Sequence, residues 1–359
     1  MTIQIEHVTE EENIGAWNDF VENNPYSTPY HLWEFGKALS LAYEYERHYL
    51  VAKDNDKIVG VFPLVFIKSR LFGNKLLSLP FCEYGGPIVD LNFKGSRIVT
   101  ANLFKRVLAL ACSLKNVDYV EIRNPLLPSE ILEREKIHPV KRYVTFRIDL
   151  SRDKENLWRS LDKKTRNSTR KAMRNNLNVY EVGKEDELKK YFSLYLKTQK
   201  KYGSPPHSFK LFRNLFKLNA EKNIKVLMAE YHAKLVAGVI VFRTKREMYW
   251  WSGVAHPKFK SLNATNLLLW KIIEWGHEND FAYLDLGRTR YGTGVYNFKK
   301  GWGGTEISLV DFVHSLKSED VITPDPSESR YRLLTKFWSH LPIFMSRLIG
   351  PSIVKQIGL

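Results

Sequence analysis

The stretch Tyr283–Gly304 combines residue types that bind ligands and stabilise charge. It reads YLDLGRTRYGTGVYNFKKGWGG, a short apolar run that predicts a strand, followed by glycines, cations and aromatic rings. Glycine lets the backbone approach a ligand closely, while arginine, lysine and aromatic rings bind anions and flat groups. An alternative interpretation is hairpin turns whose aromatic residues fill a core. The density of cations and aromatic rings favours ligand binding.

Several catalytic motifs are absent from the sequence. It contains no HExxH, no glycine-rich P-loop, no GxSxG and no EF-hand loop. The 10 histidines lack the spacing of metal ligands, and two cysteines exclude a disulfide scaffold or a cysteine-built zinc cluster. Cys112 lies in a helical pattern beside Leu110 and Leu114, which predicts a core position. The remaining chemistry is positioning and electrostatic stabilisation by lysine, arginine and backbone donors, without a cofactor.

Strand-like and helix-like segments alternate, which predicts an α/β or α+β fold. Helices are predicted at Glu10–Asn23, Leu32–Tyr43 and Asn102–Lys115, and strands at His48–Lys53, Lys57–Ile67, Tyr119–Arg123 and Tyr143–Leu150.

The two halves of the chain share an order of segments. LVAKDNDKIVGVFPLVF at Leu50–Phe66 aligns with LMAEYHAKLVAGVIVFR at Leu227–Arg243. The helix and strand from Asn102 to Glu121 align with those from Asn266 to Asp285. Two units in the same order favour a tandem duplication, with its boundary near residue 145.

The 359 residues carry a formal net charge of +16, and their length favours two domains. This charge suits a polyanionic partner such as tRNA, a phosphorylated sugar or an anionic membrane face. Leu157–Asn176 is strongly basic, with Asp162 as its one acidic residue, and predicts a helix. Its predicted apolar seam consists of Leu157, Leu161, Thr165, Ser168 and Met173. A solvated helix face is one interpretation, and a phosphate-rich partner is favoured over it.

The N-terminal segment is acidic and has no apolar run of the signal-peptide type. No apolar run reaches the ~18–20 residues that span a bilayer, so we expect a cytoplasmic protein. Residues 331–359 follow a predicted linker at Thr323–Pro326 and place Phe337, Trp338 and Phe344 among lysines and arginines. Such a helix lies on an anionic membrane surface or docks on the protein body, and both alternatives stay open.

Two further runs complete a pattern that resembles a known family. They are Tyr84–Asp90, which reads YGGPIVD, and Tyr296–Gly304, which reads YNFKKGWGG. With the tandem α/β units, they resemble the Fem-type transferases from about Trp17 to Phe312, and most closely the FemAB-like proteins of exopolysaccharide and exosorting loci. The resemblance implies two GNAT-like domains, at residues 1–145 and 146–320, and an amphipathic extension at 321–359.

The resemblance also assigns roles to individual residues. The W-x-x-x-K pattern of the family is met by Trp33 and Lys37, and the lysine would contact substrate phosphate. Tyr84 is assigned to substrate binding. The Phe-Lys pair of the family is met by Phe298 and Lys299. Lys299 would stabilise negative charge on the reacting carbonyl or on the leaving oxygen, and Phe298 would shape its pocket.

Arg288 and Tyr291 would bind the donor or the acceptor. Glu83 and Asp285 are candidates for a general base, although a structural role is favoured for both. The sequence departs from the family pattern at Gly85, where the family has arginine. Asn263 stands where a CoA-binding loop of GNAT enzymes has its first glycine, which disfavours CoA.

The resulting hypothesis is an acyltransferase that forms an amide on an amine of a peptidoglycan or polysaccharide precursor carrying phosphate or lipid. The donor would be aminoacyl-tRNA or, as the alternative, an acyl-CoA, each a cosubstrate rather than a bound cofactor. The rival is a non-catalytic protein that binds nucleic acid or a membrane surface. The sequence carries no indication of an oligomeric state.

Overall fold

The computed structural model describes residues 3–8, 14–70, 72–124, 138–219, 223–317 and 329–358, with only the backbone of Asn219 and of residues 329–334. The chain divides into two compact units. Unit 1 comprises Met1–Arg142, Leu309–Pro324 and Ser352–Leu359. Unit 2 comprises Tyr143–Ser308 and Asp325–Pro351. The first break, after Arg142, lies near the boundary proposed at residue 145. The sequence division did not anticipate that residues 309–324 and 352–359 also belong to unit 1.

Unit 1 contains two groups of paired strands. The first has the order β1-β3-β4-β7, all antiparallel, with β1 at Ile3–Val8, β3 at Tyr49–Asp54, β4 at Lys57–Phe62 and β7 at Ile88–Val89. The second has the order β2-β5-β6-β8, with β2 at Glu46–Arg47, β5 at Val65–Ile67, β6 at Lys75–Ser78 and β8 at Tyr119–Ile122. The β6–β8 pair is parallel, and β8 also pairs with Phe312–Ser315. The helices are α1 at Ile14–Asn23, α2 at Trp33–Tyr43 and α3 at Ser96–Ser113.

Unit 1 encloses a cluster of charged side chains. Glu121 lies between two cations, with Lys75 Nζ 3.1 Å from its Oε2 and Arg123 Nε 3.0 Å from its Oε1. All three side chains are buried. Arg123 also donates from Nη2 to the carbonyl oxygen of Gly358 at 2.9 Å. Because a buried charge is costly unless it is paired, this arrangement satisfies groups that the strands β6 and β8 carry into the interior.

Unit 2 is built on strands in the order β10-β11-β12-β13-β14-β9. They are β9 at His138–Asp149, β10 at Asn178–Glu181, β11 at Ile224–Tyr231, β12 at Lys234–Arg243, β13 at Glu247–Ala255 and β14 at Tyr283–Asp285, while β15 follows at Thr305–Ser315. The pairs are antiparallel except for β13 and β14, which are parallel. The core consists mainly of alternate apolar residues of these strands, which pack on α8 at Ala264–Glu278.

The remaining helices of unit 2 are α4 at Lys154–Ser160, α5 at Lys163–Met173, α6 at Glu185–Tyr202, α7 at Phe209–Asn219, α9 at Gly294–Lys300 and α10 at Ser329–His340. The last helix, α11 at Ile343–Ile357, begins in unit 2. The basic stretch forms two helices because the Asp162 side chain caps α5 by accepting a bond from the Thr165 backbone. The predicted seam is wrong at Met173, which is exposed, since Thr165, Thr169 and Ala172 are the buried positions of α5.

The aligned segments of the two halves form the same elements. Leu50–Phe66 and Leu227–Arg243 contain the antiparallel hairpins β3–β4 and β11–β12. The helices α3 and α8 each lead into a strand that pairs in parallel, β8 with β6 and β14 with β13. The predicted duplication is therefore visible as repeated structure.

Two expectations from the sequence are wrong. Cys112 is exposed, because the buried face of α3 is formed by residues such as Leu103, Val107 and Ala111 instead. The segment after β14 is not a continuous loop, since Phe298 and Lys299 lie on the short helix α9. Thr293 begins this helix by accepting a hydrogen bond from the Tyr296 backbone at 3.1 Å.

Candidate active site

The strands β13 and β14 diverge soon after they meet. Their parallel pairing covers Glu247–Tyr249 on β13 and Tyr283–Asp285 on β14. Beyond it, β13 stays paired with β12 as far as Ala255, whereas Leu286 and Thr289 bond to β9. A parallel pair that separates in this way opens a wedge whose edges carry backbone donors and acceptors.

The turn at the base of this wedge is fixed by Asp285. The Asp285 Oδ1 atom accepts hydrogen bonds from Thr145 Oγ1 at 2.5 Å and from the Gly287 backbone at 2.8 Å. Gly287 has a φ of 72°, which favours glycine over residues with a side chain. Asp285 and Thr145 are both buried. These contacts support the structural role of Asp285 over that of a general base.

Lys299 reaches the same turn from α9. Its Nζ atom donates to the carbonyl oxygens of Gly287 at 2.7 Å and Arg288 at 3.0 Å. The residue is 8% exposed, so the two carbonyls replace most of the water that would surround an ammonium group. A positive charge held in this way can stabilise an oxygen that becomes negative beside it.

Phe298 supports the helix that carries Lys299. Its ring packs against that of Trp302 with centroids 6.1 Å apart, and it contacts the core of unit 2. Trp302 is fully buried. Phe298 therefore holds α9 against the core, which is compatible with its expected role beside Lys299.

Arg288 lies near two residues that the sequence analysis missed. Its guanidinium lies 5.1 Å from the centroid of the Tyr143 ring, a cation–π contact. The His207 ring stacks on Trp251 of β13 at 6.2 Å. Burial and, to a smaller extent, the charge of Arg288 lower the pKa of His207 to about 3, so its imidazole is neutral at pH 7. The only signal in the sequence was Pro205-Pro206, which restrains the backbone before His207.

The hydroxyl of Tyr291 is hydrogen-bonded to a carboxylate. Its hydroxyl donates to Glu306 at 2.8 Å, and that of Tyr296 donates to the other carboxylate oxygen at 2.7 Å. Tyr291 is 58% exposed. Lys299 thus contacts the backbone of Arg288, whereas the hydroxyl of Tyr291 donates to Glu306, a residue that the sequence analysis did not single out.

Trp33 and Lys37 lie one turn apart on α2 in unit 1. Trp33 is buried and packs edge-on against Trp17 at 5.8 Å and Tyr49 at 5.1 Å. The Arg47 guanidinium lies 4.9 Å from the centroid of the Trp33 ring, a contact that the sequence did not reveal. Trp33 is therefore part of an aromatic core, while Lys37 is half-buried and keeps access to solvent.

The Tyr84–Asp90 run is held by backbone contacts in unit 1. Gly85 and Gly86 both donate to the Arg123 carbonyl oxygen at 3.1 Å. A Cβ atom on Gly85 would lie 2.4 Å from the Ser78 carbonyl oxygen. No side chain fits there, which explains why this chain has glycine where the family pattern has arginine. Tyr84 and Glu83 are both buried.

His31 fixes the same run through its imidazole. Its Nε2 donates to the Gly86 carbonyl oxygen at 3.0 Å, and its Nδ1 accepts from the Thr28 backbone at 3.2 Å. These contacts require the neutral ring. Burial lowers the pKa of His31 from 6.5 to about 4, although the hydrogen bonds to Gly86 and Thr28 offset part of the effect.

We expect acid to destabilise unit 1 through His31. Because its folded-state pKa of about 4 lies below the ordinary 6.5, the unfolded state binds more protons between these values. The contribution of His31 to the free energy of unfolding is complete above pH 6.5 and is lost as the pH falls to about 4. The two limits differ by roughly 3 kcal/mol. Urea unfolding across this range measures it. His31→Gln should flatten the pH dependence, and the exposed His138→Gln should not; equal slopes in all three proteins would contradict the assignment.

The segment that corresponds to a CoA-binding loop is a 3-10 helix at Pro257–Leu262, followed by Asn263 with a φ of 53° and by α8. Lys258 and Lys260 are exposed there. Asn175, just after α5, donates to the Leu262 carbonyl oxygen at 3.2 Å. The loop is thus flanked by cations, although it lacks the glycine expected in a CoA-binding enzyme.

Within the ranges that the structure describes, no group of three or more His, Cys, Asp or Glu side chains is placed to bind a metal ion. In the same part of the chain, no helix combines the length and the apolar character needed to cross a bilayer.

Residues 163–300 match a family model described as an acetyltransferase (GNAT) domain. This region contains the diverging strands and Lys299. A solved structure described as FemX has a TM-score of 0.70 to the chain at 12% identity, covering 87% of this chain and 97% of that one. The chain therefore contains a GNAT domain and shares its fold with the FemX structure. The fold class expected from the sequence is thereby confirmed, and the matched GNAT domain agrees with the expected transferase class.

Two further solved structures share the fold of this chain. A tandem GNAT protein from the clavulanic acid biosynthesis pathway has a TM-score of 0.56 at 12% identity, covering 89% of this chain and 100% of that one. The C-terminal domain of a putative lysylphosphatidylglycerol synthetase from Agrobacterium fabrum has a TM-score of 0.56 at 11% identity, covering 84% and 91%. No curated protein matches the sequence significantly.

Proposed function

We propose that this acyltransferase forms an amide on an amine of a cell-envelope precursor, with aminoacyl-tRNA as the acyl donor. The observation that carries the proposal is Lys299, whose buried ammonium is held on the Gly287 and Arg288 carbonyls where β13 and β14 diverge. A fixed positive charge at an opening between strands suits a reaction in which an oxygen becomes negative.

The reaction joins an amine nitrogen to the acyl carbon and breaks the ester bond to the 3′-oxygen of the tRNA. Negative charge develops first on the carbonyl oxygen and then on the leaving 3′-oxygen, and Lys299 would stabilise either one. The leaving oxygen takes up the proton that the amine loses. No strong base is required, in keeping with an Asp285 that is occupied by Thr145 and Gly287.

Charge supports the choice of tRNA as donor. Five cations are exposed on or just after α5, namely Lys163, Lys164, Arg170, Lys171 and Arg174. The exposed acidic residue Asp162 is engaged as the cap of this helix. Similarity to FemX and to a putative lysylphosphatidylglycerol synthetase agrees with transfer to envelope molecules. The second candidate, an acyl-CoA-dependent N-acyltransferase, is favoured by the acetyltransferase family model and by Lys258 and Lys260 beside α8.

Filter binding and calorimetry test the donor directly. We expect total aminoacylated tRNA to bind at low salt and to lose affinity steeply as salt rises, because phosphate contacts release counterions. The triple variant Lys163→Gln, Lys164→Gln, Lys171→Gln should reduce the slope of log K against log salt by about two to three units.

The matched control changes three exposed lysines on α6, Lys189, Lys190 and Lys197, to glutamine. It should leave the slope unchanged. Binding of acetyl-CoA without binding of tRNA would identify acyl-CoA as the donor in place of aminoacyl-tRNA. Equal salt slopes in the two triple variants would show that α5 does not contact the tRNA.

A further inference from the structure

The helices α10 and α11 leave large apolar side chains exposed to solvent. Phe344 is 71% exposed and Leu348 is 77% exposed, and they lie four residues apart on α11. Met345 and Ile349 repeat this spacing, and Phe337 on α10 is also exposed. Residues four apart share one face of a helix, so α11 presents a continuous apolar strip.

The opposite sides of these helices are fixed to the protein. Trp338 and Leu341 are buried, as is Ser346 between the exposed residues of α11. The helix α10 packs against α6. The exposed strip is therefore the outer face of docked helices. Docking on the protein body, one alternative left open by the sequence, thus leaves a face available for the other, contact with a membrane surface.

The charged residues of this segment have a single sign. Residues 329–358 include Arg330, Arg332, Lys336, Arg347 and Lys355 but no aspartate or glutamate. Lys336 and His340 also line an open cleft of about 470 Å³ with Phe337, Leu341 and Pro342, at the junction of α10 and α11. Exposed apolar side chains on a segment whose only charged residues are cations match the boundary between the acyl chains and the headgroups of an anionic bilayer.

We propose that this surface, formed by residues 336–349, docks the enzyme on an anionic lipid bilayer. Phe344 and Leu348 enter the acyl boundary while Lys336 and Arg347 remain at the headgroups. A second copy of the chain is a poorer occupant, because a two-fold contact would bring these cations together without a carboxylate from residues 329–358 to neutralise them. The inference does not depend on the acyl donor.

Flotation of the full chain with vesicles tests the proposal. We expect binding to an equimolar mixture of phosphatidylcholine and phosphatidylglycerol at low salt, and weak binding to phosphatidylcholine alone. The variant Phe344→Ser, Leu348→Ser should lower the partition coefficient about 30-fold or more, because both side chains lose buried apolar area. Lys336→Gln, Arg347→Gln should lower the partition coefficient about 30-fold for the anionic vesicles, at about 1 kcal/mol for each cation removed.

The matched control is Ile98→Ser, which removes an exposed apolar residue from α3. Ile98→Ser should bind vesicles as well as the unchanged chain does. All variants should have the melting temperature of the unchanged chain. The proposal is overturned if the unchanged chain does not float with anionic vesicles, or if Phe344→Ser, Leu348→Ser floats equally well. Self-association without lipid that this variant abolishes would instead assign the surface to a second copy.

Discussion

Replacing Lys299 by alanine is expected to lower kcat of acyl transfer by about 10²–10³-fold, the usual effect of removing one electrostatic donor from an acyl-transfer site. The Nζ atom lies at the divergence of β13 and β14, bound to the Gly287 and Arg288 carbonyls. The charge stabilises an oxygen that is negative only during reaction, so KM should change much less than kcat. Single-turnover transfer from aminoacyl-tRNA, with the amine acceptor in excess, measures the chemical step.

Two further variants separate the charge of Lys299 from its contacts. Lys299→Met keeps most of the apolar stem and removes the ammonium, so it should lose as much activity as Lys299→Ala. The neighbouring Lys300 is exposed, and Lys300→Ala should behave like the unchanged enzyme. Full activity in Lys299→Met would refute the electrostatic role, whereas absence of turnover in every protein would favour the non-catalytic alternative.

Glu121→Ala is expected to destabilise unit 1 by about 3–5 kcal/mol, because it leaves two buried cations without their counter-ion. The Glu121 carboxylate lies 3.1 Å from Lys75 Nζ and 3.0 Å from Arg123 Nε. Hydrogen exchange of the β6 and β8 amides in increasing urea reports on unit 1. The control is Glu6→Ala, which removes a half-exposed ion pair with Lys53 and should cost at most about 1 kcal/mol.

The same carboxylate contributes a defined pH dependence. Burial alone would raise the pKa of Glu121, but the Arg123 and Lys75 charges lower it from 4.5 to about 2. The stability that Glu121 contributes to the fold is therefore complete above its unfolded-state pKa of 4.5. It is lost as the pH falls through the folded-state pKa of about 2. Glu121→Ala should lack this acid-sensitive component. A variant that costs no more than Glu6→Ala at neutral pH would show that the buried cations are satisfied in another way.

Much of the fold could be predicted from local patterns. The strands at His48–Lys53 and Lys57–Ile67, and their alignment with residues 227–243, could be predicted because apolar alternation and a polar turn are encoded in consecutive residues. Cys112 and Met173 were misplaced because neighbouring helix positions differ little in pattern, and packing decides which of them is buried.

The candidate site was predictable in part. Lys299 and Arg288 belong to one short segment, so their proximity followed from the sequence. The contact of Asp285 with Thr145 joins strands 140 positions apart, and the pair of Lys75 with Glu121 joins strands 46 positions apart. The stacking of His207 on Trp251 likewise depends on how α6, α7 and β13 pack. Such pairings are set by strand register and helix packing, which no single segment encodes.

The return of the chain to unit 1 has a consequence for biosynthesis. Arg123 bonds to the Gly358 carbonyl oxygen across 235 positions, and Tyr45 bonds to the Lys355 carbonyl oxygen across 310 positions at 2.7 Å. During translation, the N-terminal half therefore leaves the ribosome with strands and an ionic cluster whose partners have not yet been made. Unit 2 is completed with Pro351, before the last residues of unit 1 have been made. Vectorial folding would then run against the order of synthesis, and nascent unit 1 is the part with the longest need for chaperone protection.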